Sequence, residues 1–179
     1  ESATSGGTIT SRGAHIYSNG DLTVTQTVFT EGRAEEAAGV YVSGSDASFT
    51  DCSFSDHVAE ATPANLERGG ALFSQRGDPT PQGCILEHNS ARDRGGHLTI
   101  RGNDTVLITD TQFSGGEAEE LGGALFLENS TINLSNVSFN SNTSGILGGG
   151  IYATGTTILT SEMLTFDGNI AEVSGGGIF

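Results

Sequence analysis

Two short motifs alternate through this chain at a nearly fixed interval, and that alternation limits the fold more than any other feature. The first is a glycine-rich anchor ending in an apolar pair. It occurs as Gly13-Ala14-His15-Ile16-Tyr17, Ala37-Ala38-Gly39-Val40-Tyr41, Gly69-Gly70-Ala71-Leu72-Phe73, Gly95-Gly96-His97-Leu98-Thr99, Gly122-Gly123-Ala124-Leu125-Phe126, Gly148-Gly149-Gly150-Ile151-Tyr152 and Gly175-Gly176-Gly177-Ile178-Phe179. Successive anchors start 24, 32, 26, 27, 26 and 27 residues apart. The second motif is centred on Phe29, Phe54, Leu86, Phe113, Phe139 and Phe166, spaced by 25, 32, 27, 26 and 27. Two independent landmarks that keep one register through six copies mark a solenoid, in which each repeat is one coil.

Within a copy the apolar period is 2. Leu125 and Leu127 share one parity, as do Ile132 and Leu134, then Val137 and Phe139, with Glu128-Asn129-Ser130 and Ser135-Asn136 between the groups. That period means strands, and no stretch combines a 3.6 period with helix caps. Three short strands in about 26 residues make a triangular coil. The expected fold is all-β, a right-handed parallel β-helix of six to seven coils. Its handedness follows from the crossover rule and its ~4.8 Å rise from strand pairing. Residues 1–179 read as a single β-helix segment. Its start without Met and its end inside a repeat suggest a piece of a longer solenoid.

Stacking turns equivalent positions into ladders. One runs Ile16, Val40, Leu72, Leu98, Leu125, Ile151, Ile178, and the Phe landmark makes another. Each large apolar side chain buried this way contributes roughly 1.5–3 kcal/mol. The glycine pair is expected at a corner that needs positive φ or close packing. Two coils depart from the pattern. A longer corner loop is expected near 57–68, and Pro79 and Pro81 should distort or remove the strand they occupy, since proline cannot donate to a ladder.

The chain carries 22 acidic against 7 basic residues, all of the latter arginine, for a net charge of −15. Nucleic acid and anionic membranes would repel it. No run approaches the ~20 apolar residues that span a bilayer. A carboxylate-rich surface suits Ca²⁺ in general, but no residue set is assignable, so no cofactor is expected.

The alternation of Gly-Gly-Ala-Leu with Phe-x-x-Asn resembles the repeat of the chlamydial polymorphic outer-membrane protein family. Gly69 to Leu72, Gly122 to Leu125, Phe139 to Asn142 and Phe166 to Asn169 carry the resemblance, while Gly32, His57 and Gly116 replace the Asn. Those proteins are surface-exposed autotransporters with β-helical passengers that act in adhesion. The resemblance implies a secreted or cell-surface location and a contact role. This chain holds no outer-membrane barrel.

Cys52 and Cys84 occupy the same position in adjacent coils, close enough for a disulfide in an oxidising compartment. Asn89, Asn142 and Asn169 share one turn and should stack as a ladder. Asn103, Asn129, Asn133 and Asn136 open sequons that a secreted protein could glycosylate, whereas the sequon at Asn142 should be shielded. Tyr17, Tyr41, Phe73, Phe126 and Tyr152 each follow an inward aliphatic, so strict alternation points them outward as a candidate binding stripe. The competing expectation is that they pack under a neighbouring loop.

Catalysis finds thin support. The nearest approach to a catalytic cluster is Arg92, Asp93, Arg94 and His97, with His57 and His88 nearby, while Asp51 and Asp110 lie two coils apart. No continuous Thr-x-Thr rank is present. The expected function is an extracellular structural or adhesive solenoid, non-catalytic, whose partners are other subunits, further coils of the same chain or glycans. The alternative is a polysaccharide-active enzyme resembling the pectate lyases.

Overall fold

The computed structural model describes residues 3–4, 13–60, 69–102 and 105–179. It is an all-β parallel solenoid with about 27 residues per turn and three parallel sheets. The expected longer loop near 57–68 lies mostly outside the described residues, as does Asn103.

The first sheet stacks the anchors: Ile16–Ser18, Val40–Ser43, Leu72–Gln75, Leu98–Arg101, Leu125–Glu128 and Ile151–Thr154. Their register pairs each apolar anchor residue with the next, and Ile178 bridges to Ile151. Local chemistry explains the two glycines that open five of the seven anchors. Gly122 has φ +67°, a conformation that disfavours a side chain, although Ala37 takes φ +41° at the equivalent position. A Cβ on Gly123 would lie 2.5 Å from Thr143 O, because the anchor packs directly on the backbone of the third sheet.

The second sheet has eleven strands. Thr131–Asn140 and Ile158–Asp167 are single ten-residue strands. Earlier coils break the same span in two, as in Thr105–Thr109 and Gln112–Ser114. The two apolar groups read from the sequence as separate strands thus belong to one sheet, bent where Asp51, Asp110, Asn136 and Met163 take positive φ. The third sheet lies elsewhere, in two-residue strands that follow the turn: Arg33–Ala34, Val58–Ala59, Ser90–Ala91, Glu117–Ala118, Thr143–Ser144 and Ile170–Ala171.

The proline coil keeps its strand. Pro79–Gln82 pairs in full with Ala47–Thr50, but only Gln82 pairs with the next coil. The missing proline donors weaken one side of the ladder and spare the other.

The Phe ladder fills the interior. Phe29 stacks on Phe54 at 4.8 Å, and Phe113, Phe139 and Phe166 stack at 5.1 and 4.9 Å, with Leu86 buried between the two groups. Each stacked pair adds about 0.5–1.5 kcal/mol to the gain from burial. In the last coil Leu159, Leu164 and Phe166 are only partly buried, whereas their register partners Ile132, Val137 and Phe139 are fully so.

Candidate functional site

Beside the Phe ladder runs a column of buried polar side chains. Asn142 Oδ1 accepts from Gly116 N at 2.8 Å and lies 3.2 Å from His97 Nε2, while Asn142 Nδ2 donates to Phe113 O and to Asn169 Oδ1. Asn89 accepts from His57 N, and its Nδ2 lies 2.9 Å from His97 Nδ1 and bonds Phe54 O. The expected Asn ladder is therefore present, with imidazoles inserted.

One side chain per coil fills this inner corner, supplied from either of two positions. Where the turn carries Gly32 or Gly116, the anchor supplies His15 or His97. Where the turn carries His57 or Asn, the anchor residue shrinks to Gly39, Ala71, Ala124 or Gly150. The space is shared. A Cβ on Gly116 would come within 2.5 Å of His97 Cδ2, and one on Gly39 within 2.5 Å of His57 Cδ2. Desolvation lowers all three imidazoles, His57 to about 4 and His97 to about 3, so they are neutral at ordinary pH.

Outside, the third sheet forms a groove of about 1010 Å³ along the solenoid. Its floor includes Ala34, Ala59, Ala91, Ala118 and Ser144. Its walls carry Arg33, Glu35, Glu60, Arg92, Glu117, Glu119 and Glu172, five acids against two bases. Arg33 Nη1 meets Glu60 Oε1 at 2.8 Å, and Arg92 Nε lies 3.7 Å from Glu119 Oε2. Both pairs are well exposed. The groove is an open, acidic surface whose two ion pairs lie on the first four coils, while the fifth coil lines it with the uncharged Thr143, Ser144 and Gly145.

The aromatic stripe does not lie open along its length. Tyr17 is 51% exposed, but Tyr41, Phe73 and Phe126 are no more than 2% exposed. The segment before each anchor folds over them. Ala37 packs with Tyr41 and Phe73, and the Arg94 guanidinium sits 5.0 Å above the Phe126 ring. Stacking continues at 4.9 Å between Tyr41 and Phe73 and at 5.5 Å between Phe126 and the half-buried Tyr152. The stripe expected as a binding surface is thus a covered structural ladder in its middle.

The expected disulfide is also absent. Cys52 and Cys84 are neighbours in register but free and buried. Cys52 Sγ donates to Thr50 O and Cys84 Sγ to Phe49 O, each at 3.4 Å. Burial pushes the Cys84 thiol up to about 11, which keeps it from the thiolate form that disulfide chemistry requires.

Among the sequons, Asn129 and Asn136 are exposed, Asn133 is half-buried, and Asn142 is fully buried. Asn136 Nδ2 donates to Asp110 Oδ1 at 2.7 Å. The residues weighed for catalysis scatter. His57 and His97 are interior, Arg92 lies in the groove, and Asp93 pairs with Arg94 at 3.3 Å. Among the described residues no group of three or more His, Cys, Asp or Glu could hold a metal ion. No helix of the described residues is long and apolar enough to cross a membrane.

No curated protein and no solved structure matches the chain. Residues 8–179 match the family described as a right-handed β-helix region, and with nearly the whole length covered the chain belongs to that family.

Proposed function

We propose that this chain is a structural and adhesive solenoid that works outside the cell by contact with protein or glycan, without catalysis. The supporting observation is a division of labour among polar groups. The imidazoles of His57 and His97 and the carboxamides of Asn89 and Asn142, which could do chemistry, are buried in the inner column, and His88 is the one imidazole exposed at the surface among the described residues. The groove outside carries solvated, paired charges of low chemical specificity. Its partners are other subunits, further coils of the same chain or glycans. In the surface-exposed polymorphic outer-membrane proteins, the repeat it resembles serves adhesion.

Purified chain would be presented to glycan and extracellular-protein arrays, beside a variant with Glu117→Gln and Glu119→Gln. Binding that changes with the groove charges supports the reading. The same two proteins would be incubated with a panel of acidic and neutral polysaccharides and followed for new reducing ends and for unsaturated uronides. Turnover that disappears in the variant would overturn it in favour of a polysaccharide-active enzyme.

A further inference from the structure

The second sheet turns a different surface outward from the groove, and strand register orders that surface in two ranks. On the first limb of the sheet Leu22, Val24, Phe49, Val106, Ile108 and Ile132 pack into the core. The residues that alternate with them face out. Pairing lines up Thr23, Ser48, Thr80, Leu107, Asn133 and Thr160 in one rank. It lines up Thr25, Thr50, Gln82, Thr109, Ser135 and Glu162 in the other. Thr-x-Thr as a strict motif occurs on this face only at Thr23 and Thr25. The register adds what the motif lacks, since every other place except Leu107 and Glu162 holds a hydroxyl or an amide.

Three observations set the face apart. Its only charged residue is Glu162, on the last coil, whereas the groove walls carry five acids and two bases. Charge returns at the edges, with Asp21, Asp46 and Asp78 before the strands and Asp51 and Asp110 at the bend after them. The hydroxyls are also uncommitted. Those of Thr23, Thr25, Thr50, Thr109, Ser135 and Thr160 hold no hydrogen bond within the described residues. Thr27, Thr111 and Ser130, off the face, close theirs onto carbonyls at 2.8, 2.8 and 2.7 Å. Finally, the sheet barely twists. The stacked rings behind its second limb stay within 4 to 9° of parallel from coil to coil, against roughly 20° between strands of an ordinary sheet.

A flat parallel sheet repeats every ~4.8 Å from coil to coil and every ~6.6 Å between residues two apart on a strand. Hydroxyls and threonine methyls are thus fixed in a lattice before any partner arrives. A neutral lattice of uncommitted hydroxyls suits a partner that is itself a neutral lattice of hydrogen-bonding oxygens. The two repeats are close to those of the oxygens on a prism face of hexagonal ice. A charged side chain would have to give up its hydration shell there, and the ranks avoid charge. We propose that this outward face of the second sheet binds the surface of ice crystals. The site is separate from the groove and does not depend on what the groove holds.

The full chain would be assayed for inhibition of ice recrystallisation in frozen sucrose. It would also be labelled at its N-terminal amine, since it has no lysine, and imaged on a single ice crystal. The expected result is arrested recrystallisation and a labelled prism face. Thr50→Lys with Thr109→Lys puts a cation in adjacent strands of the face and should raise the protein needed by about tenfold or more, with unchanged β-sheet circular dichroism. If that variant loses its β-sheet signal, Thr25→Lys at the exposed first coil is read in its place. The groove variant, Glu117→Gln with Glu119→Gln, should match the native chain. The proposal is overturned if the native chain slows recrystallisation no more than an equal mass of serum albumin. Full activity in the lysine variant, or an equal loss in the groove variant, overturns it as well. So does adsorption of the label to crystalline cellulose with none to ice, which would make the face a polysaccharide surface.

Discussion

Two rows of polar side chains run along this solenoid, one inside and one outside, and they are built on opposite terms. The inner row joins His57, Asn89, His97, Asn142 and Asn169 through hydrogen bonds that cross from coil to coil. The outer row sets Arg33 against Glu60 and Arg92 against Glu119, with about half or more of each side chain in solvent. A buried polar group that loses its partner costs about 1–3 kcal/mol, whereas an exposed ion pair is worth about 0–1 kcal/mol. Inner polarity therefore fixes the register of the coils. Outer polarity leaves the surface free to meet a partner.

The comparison breaks hardest at Asn142. Asn142→Ala leaves Gly116 N–H and His97 Nε2 without the Oδ1 they share in a dry interior. With at least two orphaned groups, the expected loss is about 4 kcal/mol in urea unfolding. Next comes the shared corner. Gly116→Asn forces a side chain into space held by His97 Cδ2 and the Gly123 carbonyl, at an expected cost of about 3 kcal/mol. Adding His97→Ala recreates the pattern of the Ala124 coil and should recover roughly 1–2 kcal/mol of that loss. A double variant no more stable than Gly116→Asn alone would show that the two positions do not share one space.

Acid probes the same row more gently. A buried imidazole refuses the proton that the unfolded chain accepts near its ordinary value of 6.5. The stability at stake is intact above about pH 6.5 and falls with pH until the folded values near 4 for His57 and 3 for His97 are passed. Between neutrality and about pH 5.5 each ring should cost roughly 1 kcal/mol. The surface carboxylates respond in every variant alike, so the informative quantity is the difference from His57→Asn, which should lose one ring's share of the slope. An unchanged slope would mean that His57 is hydrated in the native state.

Much of this organisation was legible in the sequence because it recurs. Leu125 predicts Ile151 by position and parity, and Phe113 predicts Phe139, so the ladders could be written down before any coordinates. The inner column was half legible. Asn89, Asn142 and Asn169 share a register, but Gly32, His57 and Gly116 look like simple departures from the motif. The signal was present in the pairing: histidine enters the anchor at His15 and His97 in the coils whose turn is glycine. A reading that treats each position separately misses it, because the quantity held constant is the volume of a shared corner. The groove was less legible still. Its two-residue strands show no alternation long enough to register a period. The aromatic stripe misled for a related reason, since alternation gives the side of the strand and not what later folds over it. Ala37 and Arg94, which cover the rings, belong to the segment before the anchor.

The smallest expected effect tests the outer row. Arg33→Ala removes the closer of the two groove ion pairs, 2.8 Å from Glu60 Oε1, at a site where both side chains are more than half exposed. Solvent screening limits the loss to about 0.5 kcal/mol at low salt, and it should vanish by about 1 M salt. Urea titrations of the variant at two salt concentrations would measure both values. A loss above about 1 kcal/mol that persists in salt would make Arg33 a structural tie, with a role closer to that of Asn142. The groove would then be stabilising the coils it lies on, and the surface left for contact would have to be sought elsewhere on the solenoid. A loss within the expected range leaves the groove charges free to be exchanged for those of a partner, as an adhesive surface requires.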